Sequence, residues 1–171
     1  MVCMNVYIYM YTNNKTKGVV IMKRLERAIK DLKSLGSKLG IDNIDNIISS
    51  RIINTTLDYF KELLNVKVDY VIDNDIIKGD NVGGYYNGIV YLNSNCTNDI
   101  KEFILTVGHE CRHAWQQQIA NDVFDKYEYV HYDGTNEKEY FEQPIEKDAY
   151  TYEDTIDTKE IISLITKALE N

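Results

Sequence analysis

The spacing of apolar residues predicts helices at both ends of the chain and strands in its middle. Apolar residues recur at helical spacing between residues 23 and 35, and Gly36 is typical of a helix end. A second helix is predicted at about residues 45–64. Near the C-terminus, "TKEIISLITKALE" has the apolar stripe of an amphipathic helix.

Two middle segments have the pattern of strands. "VKVDYVID" alternates apolar and polar residues from Val66 to Ile72, and "YYNGIVYLN" favours a further strand with a distortion at Asn87-Gly88. The polar "NDIIKGDNVGG" between them indicates a loop. At the N-terminus, "VYIYMY" and "GVVIM" favour a hairpin, although a start at Met22 would make residues 1–22 a dispensable extension.

The remaining segments complete an α+β pattern. Thr97 or Asn98 is a candidate N-cap for a long helix that runs to about Ile119. A tyrosine-rich connection follows, and Pro144 suits the first turn of another helix. Helices, then strands, then helices predict one α+β domain over residues 1–171, with a small mixed or antiparallel sheet.

Composition narrows the possible partners and compartment. The formal net charge of -8 argues against nucleic acid or an anionic membrane as the main partner. Three cysteines without CxxC spacing indicate neither a disulfide framework nor a cysteine metal site. No apolar run approaches the ~18 residues of a membrane span, so we expect a cytoplasmic protein.

The predicted long helix contains "HECRH", which has the HExxH pattern of zinc enzymes. His109 and His113 are four residues apart, so both imidazoles can reach one metal ion from the same helix. Glu110 lies beside them and can accept a proton from metal-bound water. The spacing therefore predicts one Zn²⁺ per chain, with two histidine ligands and a general base.

The register of the helix places the two histidines away from its core face. Cys111 is expected to pack in the core rather than bind metal, and Trp115 borders the same face. The expected apolar stripe comprises Ile100, Phe103, Ile104, Val107, Cys111, Ala114 and Ile119. The histidines are then expected on an exposed face or on the floor of a cleft.

A catalytic zinc needs a third protein ligand, and three downstream patterns compete for that role. A metzincin would continue as HExxHxxGxxH, but Gln116 and Ile119 occupy those positions, which excludes that class. "GTNEKEY" resembles the GTxDxxY element of aspzincins, with Glu137 in place of the aspartate. That substitution of the ligand itself leaves Glu137 as an alternative only.

"PIEKDAYTYE" resembles the E-x-x-A ligand helix of the gluzincin-type peptidases, which include the ImmA/IrrE-like group and related phage-encoded metallopeptidases. Together with "HECRH", the resemblance covers roughly residues 85–156. It implies a zincin-like fold with an HExxH helix and a C-terminal ligand helix, and Glu146 as the third zinc ligand. Glu137, Glu142 and His131 remain alternatives, and Asp148 is a candidate outer partner of a ligand histidine.

The resemblance also implies a zinc metallopeptidase that hydrolyses peptide bonds in a peptide or protein substrate. "YYNGIVYLN" occupies the place of the edge strand that pairs with such a substrate. His131 is the first candidate for the donor that stabilises the oxyanion, and four tyrosines compete with it, namely Tyr127, Tyr129, Tyr132 and Tyr140. The alternatives are a zinc-binding regulatory or interaction domain without turnover, and a metal-free structural protein.

Overall fold

The computed structural model describes residues 2–77, 82–132 and 134–171, with side chains from residue 18 onwards. Parts of the predicted loop (78–81) and of the tyrosine-rich connection (133) lie outside the described residues. The fold is mixed α+β and mostly helical. Its described elements are α1 (Val2–Leu39), α2 (Ile44–Leu64), β1 (Asp69–Ile72), β2 (Gly83–Tyr86), β3 (Ile89–Leu92), α3 (Ile100–Gln118), α4 (Asn121–Phe124), α5 (Glu137–Glu142), α6 (Pro144–Glu153) and α7 (Thr158–Glu170).

The chain divides into two compact units, residues 1–55 with 159–171 and residues 56–158. The buried apolar residues of the first unit come from α1, α2 and α7: Leu25, Ala28, Ile48, Ile52, Ile53, Ile161, Ile162, Ile165 and Leu169. The amphipathic C-terminal helix is therefore confirmed. No described helix is both long enough and apolar enough to cross a bilayer.

The N-terminal hairpin prediction is wrong, because one helix covers both of its segments. The intervening "TNNKTK" contains neither glycine nor proline, so no residue in it breaks the helix. Gly36 does not end α1 either, since the helix continues to Leu39 and Gly40 follows with a φ of 68°. A Cβ at Gly36 would lie 2.7 Å from Cγ1 of Ile44, so this glycine permits the close approach of α2.

The sheet is mixed, with strand order β1-β3-β2. β1 pairs with β3 in parallel, and β2 pairs with β3 in antiparallel register. The predicted single strand with a distortion is wrong: Asn87 and Gly88, with φ of 47° and 82°, form the two-residue turn of a hairpin. β1 begins only at Asp69, although Val66 and Val68 before it are buried.

α3 is the long helix predicted from the sequence, and most of its apolar stripe is buried. Its N-cap is Asp99 rather than Thr97 or Asn98, since the Asp99 carboxylate accepts hydrogen bonds from the N–H groups at the start of the helix. Ile119 is 48% exposed because α3 ends at Gln118. Trp115 is only half-buried, with the guanidinium of Arg112 3.7 Å above its ring.

α6 begins at Pro144 as predicted and packs against α3. Ala149 is completely buried, so its small side chain allows the two helices to lie close together. The tyrosine-rich connection forms only the short helices α4 and α5 within its described residues. The packing of α6 on α3 positions the site described below.

Candidate metal centre

α3 and α6 bring the side chains of His109, His113 and Glu146 together. Each offers one ligand atom, and the three atoms lie within 4.8 Å of one another. Gly108 precedes His109 on α3 and permits this placement of the helix, because a Cβ there would collide with Ile156 and lie 2.8 Å from the Phe60 ring. Two elements far apart in sequence thus build one group that can hold a metal ion.

The two histidines lie close to each other, and each lies close to one oxygen of Glu146. Nε2 of His109 lies 3.1 Å from Nε2 of His113 and 3.2 Å from Oε2 of Glu146. Nε2 of His113 lies 3.5 Å from Oε1 of Glu146. A tetrahedral ion with ligands about 2.0–2.1 Å away would separate them by about 3.3 Å. His109, His113 and Glu146 therefore form a group that could hold a metal ion.

The charges at this group favour a cation. Glu146 is completely buried, and burial alone would raise its pKa, but hydrogen bonds with His109 and His113 hold the pKa well below its usual range. Burial alone would lower the pKa of His113, but the hydrogen bond with Glu146 and the charge of Glu110 raise it to about 9. The carboxylates that favour a proton on His113 would favour a metal ion between the histidine Nε2 atoms and Glu146 for the same electrostatic reason.

A chain of hydrogen bonds lies behind His113. Its Nδ1 is 2.9 Å from Oε1 of Gln116, and Nε2 of Gln116 donates to Asp148 at 2.8 Å. Asp148 also accepts two hydrogen bonds from Arg112, at 2.8 and 3.1 Å. Asp148 therefore reaches the ligand histidine through an amide rather than directly. Sequence analysis identified Asp148 as a candidate partner but missed Gln116, whose place three residues after His113 on the same helix is the signal for it.

The other ligand histidine has a carboxylate neighbour. Nδ1 of His109 lies 3.3 Å from Oε2 of Glu153, although the pair is not aligned as a hydrogen bond. The ring of Tyr150 packs edge-on against His109, with 4.5 Å between ring centroids. Glu153 follows Glu146 by seven residues, which is about two full turns of α6, and it was not among the predicted site residues because only the packing of α6 on α3 brings it to His109.

Glu110 lies on the wall of a cavity that also exposes His109. This His109 cavity has a volume of about 680 Å³, and its wall includes Thr106, Tyr150 and Glu153. Burial raises the pKa of Glu110, while the charges of His113 and His109 oppose that rise. The backbone N–H of Tyr85 on β2 donates to this carboxylate. Glu110 is therefore a buried carboxylate beside the three-residue group but outside it.

A second cavity of about 590 Å³ lies at His113 and is here called the His113 cavity. His131 and Tyr129 line it together with the turn of the β2-β3 hairpin. The hydroxyl of Tyr129 donates to Oε1 of Glu146 at 2.7 Å. His131 is exposed and stacks edge-on against Tyr129, with 5.0 Å between centroids.

Among the described residues, the three-residue group does not contain the other candidates for the third ligand. Glu137 and Glu142 are exposed on α5, and neither they nor His131 belong to the group. Cys111 is buried on the opposite side of α3, and burial raises the pKa of its thiol, so it packs as predicted. The histidines themselves do not face open solvent: His109 is 7% exposed, on the floor of a cavity.

Within the described residues, two histidines and a glutamate form a group that could hold a metal ion. No family model, curated protein or solved structure matches the chain.

Proposed function

We propose that this chain is a zinc-dependent metallopeptidase of the glutamate-ligand, zincin-like type. The observation that carries the proposal is the meeting of two Nε2 atoms and a buried carboxylate at separations of 3.1 to 3.5 Å. Two histidines and one glutamate form the ligand set of several catalytic zinc sites, in which one position stays open. Zinc bound there supplies a Lewis acid and makes water nucleophilic near neutral pH.

Glu110 is the general base in this proposal. It takes a proton from water as the water oxygen attacks the peptide carbonyl carbon, and it returns the proton to the amine as the C–N bond breaks. Its raised pKa suits both steps, because a carboxylate that is too acidic would hold the proton poorly. The hydrogen bond from Tyr85 N–H keeps the carboxylate close to the β2 edge.

The edge strand β2 supports an extended peptide as the substrate. Gly83 at its start lines the His109 cavity, and Tyr85 and Tyr86 at its end line the His113 cavity. β2 lies at one edge of the described sheet, and no strand among the described residues pairs with its other side. A peptide that paired with this edge would pass the ligand group and continue into both cavities.

The His109 cavity supports a preference for basic side chains. Four carboxylates besides Glu110 line it, against the single amine of Lys101. Its aromatic wall also suits a cation, which the faces of aromatic rings attract. These groups are Asp99, Glu102, Glu137 and Glu153 among the carboxylates, and Tyr132, Tyr140, Phe141 and Tyr150 among the aromatic residues.

Tyr129 and His131 are the candidates for the donor to the oxyanion. Burial raises the pKa of Tyr129, so its hydroxyl keeps its proton at neutral pH and can donate. The hydroxyl already lies within hydrogen-bond distance of the ligand group, whereas His131 lies behind the Tyr129 ring. His131 remains a prediction, and Tyr129 now stands beside it.

Glu110→Gln tests the proposal. The amide cannot accept the proton, so hydrolysis of quenched fluorescent peptides should fall by at least about 100-fold, the lower end of a general base's contribution, while one zinc per chain remains. Glu62→Gln is the matched control: the same substitution at an exposed position near the end of α2, outside the lining of both cavities, should leave hydrolysis unchanged.

Peptides with lysine or arginine near the cleaved bond should be cut faster than those with glutamate. If the zinc-loaded protein cleaves no peptide, or if Glu110→Gln cleaves as fast as Glu62→Gln, the enzymatic proposal is wrong. Zinc bound without turnover would then favour a regulatory or interaction domain.

A further inference from the structure

Gln116 is the residue of the hydrogen-bond chain that contacts His113 directly. Gln116 is 3% exposed and its side-chain amide uses both ends. Nε2 donates to Oδ2 of Asp148 and to the backbone carbonyl of Ile145, each at 2.8 Å. Oε1 lies 2.9 Å from Nδ1 of His113.

The partners of Gln116 determine which way its amide faces. The carbonyl of Ile145 and a carboxylate such as Asp148 accept hydrogen bonds, so the NH₂ end must point at them. The flipped amide would set its oxygen against two acceptors, which costs the desolvation energy of each. Oε1 therefore faces His113, and as an acceptor it requires a proton on Nδ1.

A proton on Nδ1 determines the chemistry of the other ring nitrogen. In the neutral imidazole only one nitrogen carries hydrogen, so Nε2 keeps its lone pair. Nε2 is the atom that lies 3.1 Å from Nε2 of His109 and 3.5 Å from Oε1 of Glu146. The amide thus directs the lone pair of His113 into the ligand group.

The chain is anchored at its far end. Arg112 holds Asp148 with two hydrogen bonds, and its guanidinium lies 3.7 Å above the ring of Trp115. Arg112 and Gln116 belong to α3, whereas Asp148 belongs to α6, the helix that carries Glu146. The same contacts that orient His113 therefore also tie together the two helices that supply the ligands.

We propose that Gln116 is the positioning residue of His113, which holds the ring with Nδ1 protonated and Nε2 aimed at the metal position before the metal binds. This inference rests on the proposed metal site but not on peptide hydrolysis. It predicts a neutral amide, rather than a carboxylate, as the outer partner of one ligand histidine. Such outer partners typically change metal affinity by about 10- to 100-fold.

The test compares Gln116→Met with Gln118→Met. Methionine keeps the length of the side chain but removes the acceptor. Gln118 is the matched control, because its amide also makes two hydrogen bonds, to the N–H and C=O of Lys67, away from the ligand group. Zinc affinity should fall about 10- to 100-fold in Gln116→Met and stay within about twofold in Gln118→Met. Thermal unfolding of both metal-free variants shows whether each remains folded.

Nitrogen-15 chemical shifts of the His113 ring report which ring nitrogen carries the proton. A purely structural role of Gln116 would not change them. In the metal-free wild type, the neutral His113 ring should carry its proton on Nδ1; in Gln116→Met this preference should disappear. A neutral His113 with its proton on Nε2, or equal zinc affinity in the two methionine variants, would overturn the inference. Both measurements are made without substrate, so a failure here is separate from a failure of peptide hydrolysis.

Discussion

The two histidines of the candidate metal site occupy the same face of one helix but have different surroundings. His113 is held from behind by Gln116, whose amide has partners on both sides. His109 faces the larger cavity, and its Nδ1 has a carboxylate neighbour, Glu153, that is near but not aligned. One side of the ligand group is thus fully hydrogen-bonded, and the other is adjustable.

The surroundings of His113 and those of His109 contribute different properties to the site. The His113 side contributes a fixed ring orientation, because a completed hydrogen-bond chain leaves the imidazole little freedom. The His109 side contributes access, because Glu110 and the cavity lie there. Substitutions on the two sides should therefore change different properties, and substitution of the ligand carboxylate between them should have the largest effect.

Glu146→Ala should produce that largest effect, because it removes the one carboxylate that both histidines share. Loss of an outer partner lowers metal affinity by at most about 100-fold, and zinc affinity should fall further than that in Glu146→Ala. Metal content and competition with a zinc indicator measure this. Glu137→Ala and Glu142→Ala are controls on α5 and should keep one zinc per chain. Zinc retained in Glu146→Ala but lost in Glu137→Ala would move the third ligand to α5.

The dependence of zinc affinity on pH should be the next largest effect. His113 must lose a proton to bind zinc, and its pKa is raised to about 9, so apparent affinity should rise by up to about tenfold per pH unit below that value. The metal-free fold should show the opposite trend: the pKa of His113 is above its unfolded value of about 6.5, so the protonated ring stabilises the fold below pH 6.5, and this contribution disappears as pH rises through 9.

Zinc titrations and thermal unfolding between pH 6.5 and 9 would check both trends. An affinity that stays flat over this interval would mean that no proton leaves the ligand group when zinc binds. His113 would then not differ from an ordinary exposed imidazole, and the contrast between the two sides would lose its electrostatic basis.

Local sequence patterns were sufficient to predict the two helices that carry the ligands. The apolar stripe of α3, the capping region before it and Pro144 are features of short segments, and the structure has helices at both places. The i, i+4 spacing of His109 and His113 depends only on helix geometry, so the pair could be identified without a fold.

The outer partners could not be predicted, because they depend on how α6 packs against α3. Gln116 acquires its role only through Ile145 and Asp148, some thirty residues later in the chain. Glu153 reaches His109 through the same packing. A sequence supplies the residue types for such contacts, but the distances arise from tertiary structure.

The wrong predictions have local causes. The pair Asn87-Gly88 is a strong hairpin signal, which outweighs the apolar pattern that predicts one distorted strand. At the N-terminus, alternating apolar residues favoured strands, but a polar segment without glycine or proline continues as helix. In both places the turn residues, present or absent, were more informative than the apolar pattern.

Glu153→Gln should produce the smallest effect and tests the adjustable side directly. The substitution removes a charge 3.3 Å from Nδ1 of His109 but no aligned hydrogen bond, so zinc affinity should fall by about tenfold, at the low end for an outer partner. Asp154→Asn is the matched control, since it removes the neighbouring exposed charge at the end of α6. If Glu153→Gln weakened zinc more than Gln116→Met does, the His109 side would be the fixed side, and the assignment of orientation to one side and access to the other would be reversed.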